Sequence, residues 1–125
     1  MMIKLRDIPK GIGLKEYMLG TLPSVVPRFN SELFEYALRT GNFIILLDVF
    51  DEVDFAKRQE LATQIANLTY SYGDNCVVVS SRPDNILSAW QEFYVADMQG
   101  LTKTQAISLI KKFALMRRLR KNFLG

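Results

Sequence analysis

Three acidic side chains directly follow an apolar run near the middle of the chain. The run is Phe43 to Leu47, and the acidic residues after it are Asp48, Asp51 and Glu52. Such a run is typical of a buried parallel strand, whose carboxyl end is where α/β proteins bind ligands. One carboxylate there can hold a hard cation, and a second can activate water. The pattern predicts a site for magnesium and phosphate, with a solvated turn at a helix start as the alternative.

A second polar cluster follows another run. Cys76 to Ser80 is rich in β-branched residues and predicts a strand, and Ser81 and Arg82 come next. If this strand lies beside the first, the arginine can neutralise charge on a phosphoryl group. Two other interpretations stay open. Arg82 can form a structural ion pair with Asp48 or Glu52, and the serines can be strand-end hydrogen-bonding groups, since no base is available to activate them.

The periodicity of apolar residues predicts the elements that position these clusters. Strands are predicted over 2–5, 43–48, 76–80 and 93–98, and helices over 14–22, 32–40, 55–72 and 85–90. Asn30 or Ser31 and then Asp54 are predicted helix caps, and Gly41 is a stop signal. A last helix is predicted after Thr102 to Gln105, which has the form of a capping box. Strands that alternate with helices indicate an α/β fold with a parallel sheet.

The composition excludes several classes of protein. The chain has no histidine, which excludes a histidine-based catalytic triad or zinc site. Its single cysteine, Cys76, permits no internal disulfide and is predicted to be a buried thiol. No apolar run approaches the roughly 20 residues that span a bilayer, and the charged amino terminus differs from a signal peptide. We therefore expect a cytoplasmic protein without a membrane span.

Charge divides the chain into two parts, which we predict to be a domain over 1–99 and the start of a helical subdomain over 100–125. Residues 1–99 carry 9 basic and 13 acidic side chains, and residues 100–125 carry 7 basic and none acidic. The spacing of Met116, Leu119 and Phe123 predicts an amphipathic basic helix. Such a helix can bind nucleic acid or an anionic membrane, although we favour a subdomain that packs on other residues. The residues predicted to face inward are Ala106, Ile107, Leu109, Ile110 and Phe113.

Four segments together resemble a known family. Ile44 to Val53 resembles the extended Walker B motif of NACHT-type NTPases, which belong to the signalling class of P-loop ATPases. Val77 to Pro83 is similar to the sensor strand of that family. Met98 to Thr102 resembles its junction with the first helical subdomain, and Ile3 to Asp7 fits the strand before Walker B. This ordered series spans nearly the whole chain and is more specific than any single motif.

The resemblance implies a three-layer sandwich around a mostly parallel sheet, with C-terminal helices. It implies that Asp48 binds Mg²⁺ and the nucleotide, that Ser81 contacts the nucleotide, and that Arg82 is the sensor arginine. Asp51 and Glu52 would form the acidic pair that activates water. The parent activity would be ATP binding and slow hydrolysis, coupled to a conformational switch that controls oligomer assembly.

Two features depart from the family pattern. Val49 stands where the family usually has glycine, and no Gly-x-x-x-x-Gly-Lys loop is present. In the family, that loop provides most of the binding to the phosphates. We therefore expect a NACHT-like core that lacks its N-terminal part, with little or no independent binding of Mg²⁺ and ATP. The sheet order of the family would also leave a gap between 76–80 and 93–98. The alternative function is therefore a non-catalytic interaction or self-association module that uses this open edge or the basic helix.

Overall fold

The computed structural model describes residues 1–22, 28–83, 86, 90, 91 and 93–124. The chain divides into two compact units, Met1–Tyr94 and Val95–Gly125. Within the described residues, the first unit contains a parallel sheet and three helices of two turns or more, and the second contains one long helix. The α/β class predicted from the alternation of strands and helices is confirmed.

Three short strands form the sheet: β1 at Met2–Lys4, β2 at Ile44–Asp48 and β3 at Cys76–Val79. Their order is β1-β2-β3, and both pairs are parallel. In the register of the sheet, Ile3 lies opposite Leu47, and Leu47 lies opposite Val79. Because the strands run in the same direction, the polar residues that follow β2 and β3 meet at one edge of the sheet.

The helices of the first unit begin and end within one residue of their predicted bounds. They are α1 at Leu14–Thr21, α2 at Ser31–Arg39 and α3 at Phe55–Ser71. The Asn30 side chain accepts a hydrogen bond of 2.9 Å from the backbone N–H of Leu33 and so caps α2. Gly41 follows α2 with a φ of +72°, the left-handed conformation that ends a helix. Asp54 occupies the position before α3 but makes no side-chain cap bond.

One face of the sheet and one side of each helix form the core of the first unit. From the sheet, Ile3, Ile45 and Leu47 are buried. They pack with buried residues of the three helices: Leu14, Met18, Phe34, Leu38, Leu61, Ala62, Ile65 and Leu68. Burying one large apolar side chain contributes roughly 1.5–3 kcal/mol, so this face holds the helices against the strands.

The opposite face of the sheet is uncovered. Ile44 is 62% exposed and Val78 is 48% exposed, and Met2, Leu46 and Cys76 on the same face are also exposed. The prediction of a buried thiol at Cys76 is therefore wrong. Side chains alternate along a strand, so the same apolar run supplies both the buried face and this one. Within the described residues of the first unit, the sheet has helices on one face only.

The prediction of a strand over 93–98 is also wrong. Residues 94–100 are irregular and exposed, and β3 has no strand on its far side in the ranges that the structure describes. An apolar segment forms a strand only where a neighbour satisfies its backbone hydrogen bonds. Phe93 instead packs against Trp90, with ring centroids 4.9 Å apart. The helix predicted over 85–90 lies largely outside the described residues.

The second unit is built on α4, Lys103–Leu124. The capping box is confirmed, because the Thr102 N–H donates to Gln105 Oε1 at 3.0 Å and the Gln105 N–H donates to Thr102 Oγ1 at 3.2 Å. The prediction that the apolar residues face inward is wrong, since Ile110 is 66% exposed and Phe113 is 63% exposed. This unit offers no other described helix or strand to cover them. None of the described helices has both the length and the apolar character needed to cross a membrane.

Candidate functional site

Ser80 joins the carboxyl ends of β2 and β3. Its hydroxyl donates a hydrogen bond of 2.6 Å to Asp48 Oδ1 and accepts one of 2.9 Å from the backbone N–H of Val49. The Ser80 carbonyl also accepts a bond of 2.9 Å from the N–H of Phe50. The parallel register thus brings Asp48 against the carboxyl end of β3. The prediction that Ser80 is a strand-end hydrogen-bonding group is confirmed.

Val49 adopts a backbone conformation that β-branched residues rarely take. Its φ of 59° and ψ of 63° lie in the left-handed region. For an L-residue this region costs roughly 1–2 kcal/mol, whereas glycine adopts it freely. The conformation turns the chain from β2 into a short 3₁₀ helix, Phe50–Glu52, which carries Asp51 and Glu52. Backbone strain is therefore concentrated directly after Asp48.

Arg82 lies beside Asp51. The Arg82 backbone N–H donates to Asp51 Oδ1 at 3.1 Å, and Arg82 Nε lies 3.7 Å from Asp51 Oδ2. The Asp51 side chain is 19% exposed, whereas the Arg82 side chain is 89% exposed. The predicted structural ion pair exists, but its carboxylate is Asp51 and not Asp48 or Glu52. An exposed pair of this kind contributes about 0–1 kcal/mol.

Glu52 points to a different partner. Arg6 Nη1 donates to Glu52 Oε2 at 2.5 Å, and this pair ties the turn after β1 to the turn after β2. No local sequence pattern indicates this pair, because 46 positions separate the two residues. Arg6 and Glu52 line a cleft of about 620 Å³. The other charged residues of this cleft are Lys10, Asp54, Lys57 and Glu60.

The predicted site residues meet at one edge but do not converge on one point. Asp48, Asp51 and Glu52 each bond to a different partner, and the Ser81 hydroxyl donates to the Arg82 carbonyl at 2.7 Å. No group of three His, Cys, Asp or Glu residues in the described ranges could hold a metal ion. Magnesium commonly takes one or two protein carboxylates together with phosphate oxygens and water. By its position Asp48 fits that role only if the nucleotide and water supply the remaining ligands.

A polar cluster that the sequence did not predict lines a cleft of about 660 Å³ between α1, α2 and α3. Lys15 Nζ donates to Glu35 Oε2 at 2.5 Å and to Tyr72 Oη at 2.8 Å, and Tyr72 donates to Glu35 Oε1 at 2.6 Å. The hydrogen bonds from Lys15 and from Tyr72 lower the pKa of Glu35 to about 2. Desolvation lowers the pKa of Lys15, but its bonds to Glu35 and Tyr72 outweigh this and raise it. These residues come from three separate helix regions, so no motif indicates them.

The chain matches no known family model, no curated protein and no solved structure. The segments that resemble the Walker B motif and the sensor strand are β2 and β3 with the turns that follow them.

Proposed function

We propose that this chain is part of a NACHT-like signalling domain that binds and hydrolyses ATP, and that it has little or no nucleotide binding of its own. The contact between the ends of β2 and β3 carries the proposal. There, Asp48 bonds to Ser80, and Asp51 bonds to Arg82. The resemblance assigns Asp48 to the magnesium-associated aspartate, Asp51 to water activation and Arg82 to the sensor.

The conformation of Val49 gives the proposal independent physical support. This position has a positive φ of 59°. The family pattern usually has glycine here, and glycine is the residue that adopts a positive φ without strain. The positive φ at Val49 is therefore consistent with the glycine that the family pattern has at this position. Valine in its place retains the turn at an energetic cost.

The same site is incomplete for nucleotide binding. In the parent domain Asp48 would hold Mg²⁺ beside the phosphates, Asp51 and Glu52 would activate water, and Ser81 would contact the nucleotide. In this chain the three carboxylates bond to a serine and to two arginines. The sequence has no glycine loop to cradle phosphates, and carboxylates alone repel a polyphosphate. Weak or absent binding of Mg²⁺ and ATP follows, with no independent hydrolysis.

Thermal unfolding in the presence of Mg²⁺ and ATP tests the nucleotide part of the proposal. Adding Mg²⁺ and ATP should leave the unfolding midpoint of the wild-type chain unchanged. It should also leave the midpoint of Asp48→Ala unchanged. A ligand present at 100 times its Kd stabilises a protein by roughly 2.7 kcal/mol, which is easily measured. A rise in the wild-type midpoint that Asp48→Ala lacks would contradict the absence of independent binding.

The coding sequence of the gene tests separately whether the chain belongs to a NACHT-like domain. The coding sequence upstream of Met1 should encode a strand followed by Gly-x-x-x-x-Gly-Lys-Ser or Gly-x-x-x-x-Gly-Lys-Thr. That segment would supply the strand beside β3 and the amides that bind phosphate. An upstream sequence that cannot encode such a segment would contradict membership of a NACHT-like domain.

A non-catalytic interaction module is the second candidate, and the uncovered sheet favours it. The face that contains Ile44 and Val78 is apolar and exposed, and β3 has an open edge in the described part of the chain. A second polypeptide could complete the three-layer sandwich on that face or add a strand to that edge. Size-exclusion chromatography with light scattering should then give a mass above the 14.3 kDa of one chain. A strict monomer at all concentrations would contradict self-association.

A further inference from the structure

The uncovered side of the sheet is an apolar surface of defined size. We call it the sheet face. Its apolar residues are Met2, Ile44, Leu46, Cys76 and Val78, and Lys4 lies on the same face of β1. Contiguous exposed apolar surfaces usually mark interaction sites. Three strands about 4.8 Å apart form a surface roughly as wide as one helix, which is about 10 Å across. The natural partner for the sheet face is therefore a single helix with an apolar side.

The helix α4 presents such a side. Ile110, Phe113 and Met116 recur every three residues, so they share one side of the helix. Their exposed fractions are 66%, 63% and 64%. An isolated helix of this length is only marginally stable in water, because most helical stability in proteins comes from packing of an apolar side. The sheet face thus calls for a helix with an apolar side, and α4 calls for an apolar surface to pack against. Each surface matches what the other requires.

Charge determines how two copies would combine these surfaces. The unit Met1–Tyr94 carries 9 basic and 12 acidic side chains, whereas Val95–Gly125 carries 7 basic and 1 acidic. Two α4 helices side by side would bring like charges together, at a cost of about 1 kcal/mol per close pair in water. Placing α4 of one copy on the first unit of another brings opposite net charges together. Packing of α4 on the sheet face of another copy is therefore favoured over packing of two α4 helices against each other.

We propose that α4 of one copy covers the sheet face of a second copy, and that the exchange is reciprocal. This inference rests on the second proposed function and names its partner. A helix of 22 residues is about 33 Å long, roughly twice the length of β2. Its apolar residues can lie on the sheet face while its basic C-terminal half reaches the carboxyl edge, where Asp48 lies. A stable dimer buries roughly 1,600 Å² in total, so each of the two contacts would have to bury about half of that area.

Disulfide crosslinking tests this arrangement, because Cys76 lies on the sheet face and is the only cysteine. One chain keeps Cys76, and a second, differently tagged chain carries Cys76→Ser with Ile110→Cys. After mixing and gentle oxidation, we expect a disulfide between the two chains. The matched control carries Cys76→Ser with Ser108→Cys. It should crosslink at least tenfold less, because residues two apart point to different sides of a helix.

Two crosslinking results would overturn the inference. The first is a disulfide mainly between two copies of the Ile110→Cys chain, which would mean that the helices pair with each other. The second is an internal disulfide, formed at high dilution in one chain that contains both Cys76 and Ile110→Cys. That result would mean that the helix and the sheet face of the same chain meet.

Light scattering separates failure of this inference from failure of the interaction function. The wild-type chain should give twice the 14.3 kDa of one copy. Ile110→Asp should raise the dimer dissociation constant at least tenfold, and Ser108→Asp should leave it nearly unchanged. A dimer that Ile110→Asp does not weaken and that gives no Cys76 crosslink overturns the inference but leaves an interaction module standing. A strict monomer overturns both the inference and self-association as the function.

Discussion

The hydroxyl of Ser80 donates a hydrogen bond of 2.6 Å to Oδ1 of Asp48 and thereby ties the end of β3 to the end of β2. The same oxygen accepts a hydrogen bond from the backbone N–H of Val49. One side chain therefore bonds both to the Asp48 carboxylate and to the left-handed turn that follows it. This relationship organises the carboxyl edge of the sheet. It also fixes the position of the Asp48 carboxylate.

Ser80→Ala should lower the free energy of unfolding by about 1 kcal/mol, because it removes both of these hydrogen bonds. Ser81→Ala is the matched control, since the Ser81 hydroxyl bonds to the carbonyl of the adjacent Arg82 and does not join the two strand ends. Chemical denaturation of both variants measures the difference. Equal losses for the two serines would contradict the role given to Ser80.

Substitutions at Val49 test the left-handed turn. Val49→Gly and Val49→Asn should each be more stable than Val49→Ala, by about 1 kcal/mol for glycine, because alanine retains the steric cost of a positive φ. All three changes remove the same branched side chain, so the differences between them report the free-energy cost of a positive φ. Denaturation midpoints provide the measurement. An alanine variant as stable as the glycine variant would mean that the turn is not left-handed.

Two glycines should respond to alanine in opposite directions. At Gly41 the φ is +72°, and a Cβ would lie 2.7 Å from Cβ and from the carbonyl oxygen of Asp74, so Gly41→Ala should cost more than about 1 kcal/mol. A Cβ at Gly20, within α1, would meet nothing within 4 Å. Gly20→Ala should therefore stabilise the chain by about 0.5–1 kcal/mol. Thermal or chemical unfolding that gave the same sign for both would be inconsistent with these environments.

The cluster of Lys15, Glu35 and Tyr72 makes a pH-dependent contribution to stability. The pKa of Glu35 is lowered from 4.5 to about 2, mainly by the hydrogen bond from Lys15. A depressed carboxyl pKa contributes stability that is fully present above the unfolded value and is lost as pH falls through the folded value. The contribution should therefore be constant above pH 4.5 and decline between pH 4.5 and 2.

A double-mutant cycle with Lys15→Met and Glu35→Gln measures this contribution. Because the pair is partly exposed, its coupling free energy at pH 6 should be no more than about 1 kcal/mol. At pH 2 it should be clearly smaller, since Glu35 is then partly protonated. A coupling that is the same at both pH values would show that the bond to Lys15 does not depend on the charge of Glu35.

Local signals account for the parts of the fold that the sequence predicted. The side chain of Asn30, the positive φ of Gly41 and the pair Thr102 and Gln105 each act within a few residues, so a short pattern contains all of the information. The apolar runs that became β2 and β3 were predicted for a similar reason. Both are long enough and sufficiently β-branched to favour a strand in any context.

The failures concern residues whose state depends on a partner far away in the sequence. The place of Cys76 in an apolar run predicts a buried thiol, but side chains alternate along a strand and Cys76 lies on the exposed face. The segment 93–98 is apolar enough to be a strand, yet no strand among the described residues lies beside it to satisfy its backbone. The apolar residues of α4, such as Ile110, require a second surface, and the described part of the unit Val95–Gly125 contains no other helix or strand.

The candidate site was predicted in part for the same physical reason. Parallel neighbouring strands guarantee that Asp48 and Ser80 meet, so their proximity follows from the strand assignments alone. The pairing of Glu52 with Arg6 depends on where the turn after β1 points, which no local pattern encodes. The Lys15 cluster depends on the packing of three helices and has no sequence signature.

Isothermal titration of Mg²⁺-ATP into the full chain measures whether the carboxyl edge of the sheet binds nucleotide. We expect no saturable binding tighter than about 1 mM, which corresponds to −4.1 kcal/mol, for the wild-type chain and for Asp48→Asn alike. The reason is that the carboxylates of the site bond to Ser80, Arg82 and Arg6, while no phosphate-cradling loop is present. Saturable wild-type binding in the micromolar range that Asp48→Asn abolishes would contradict the account, because the site would then be complete in this chain.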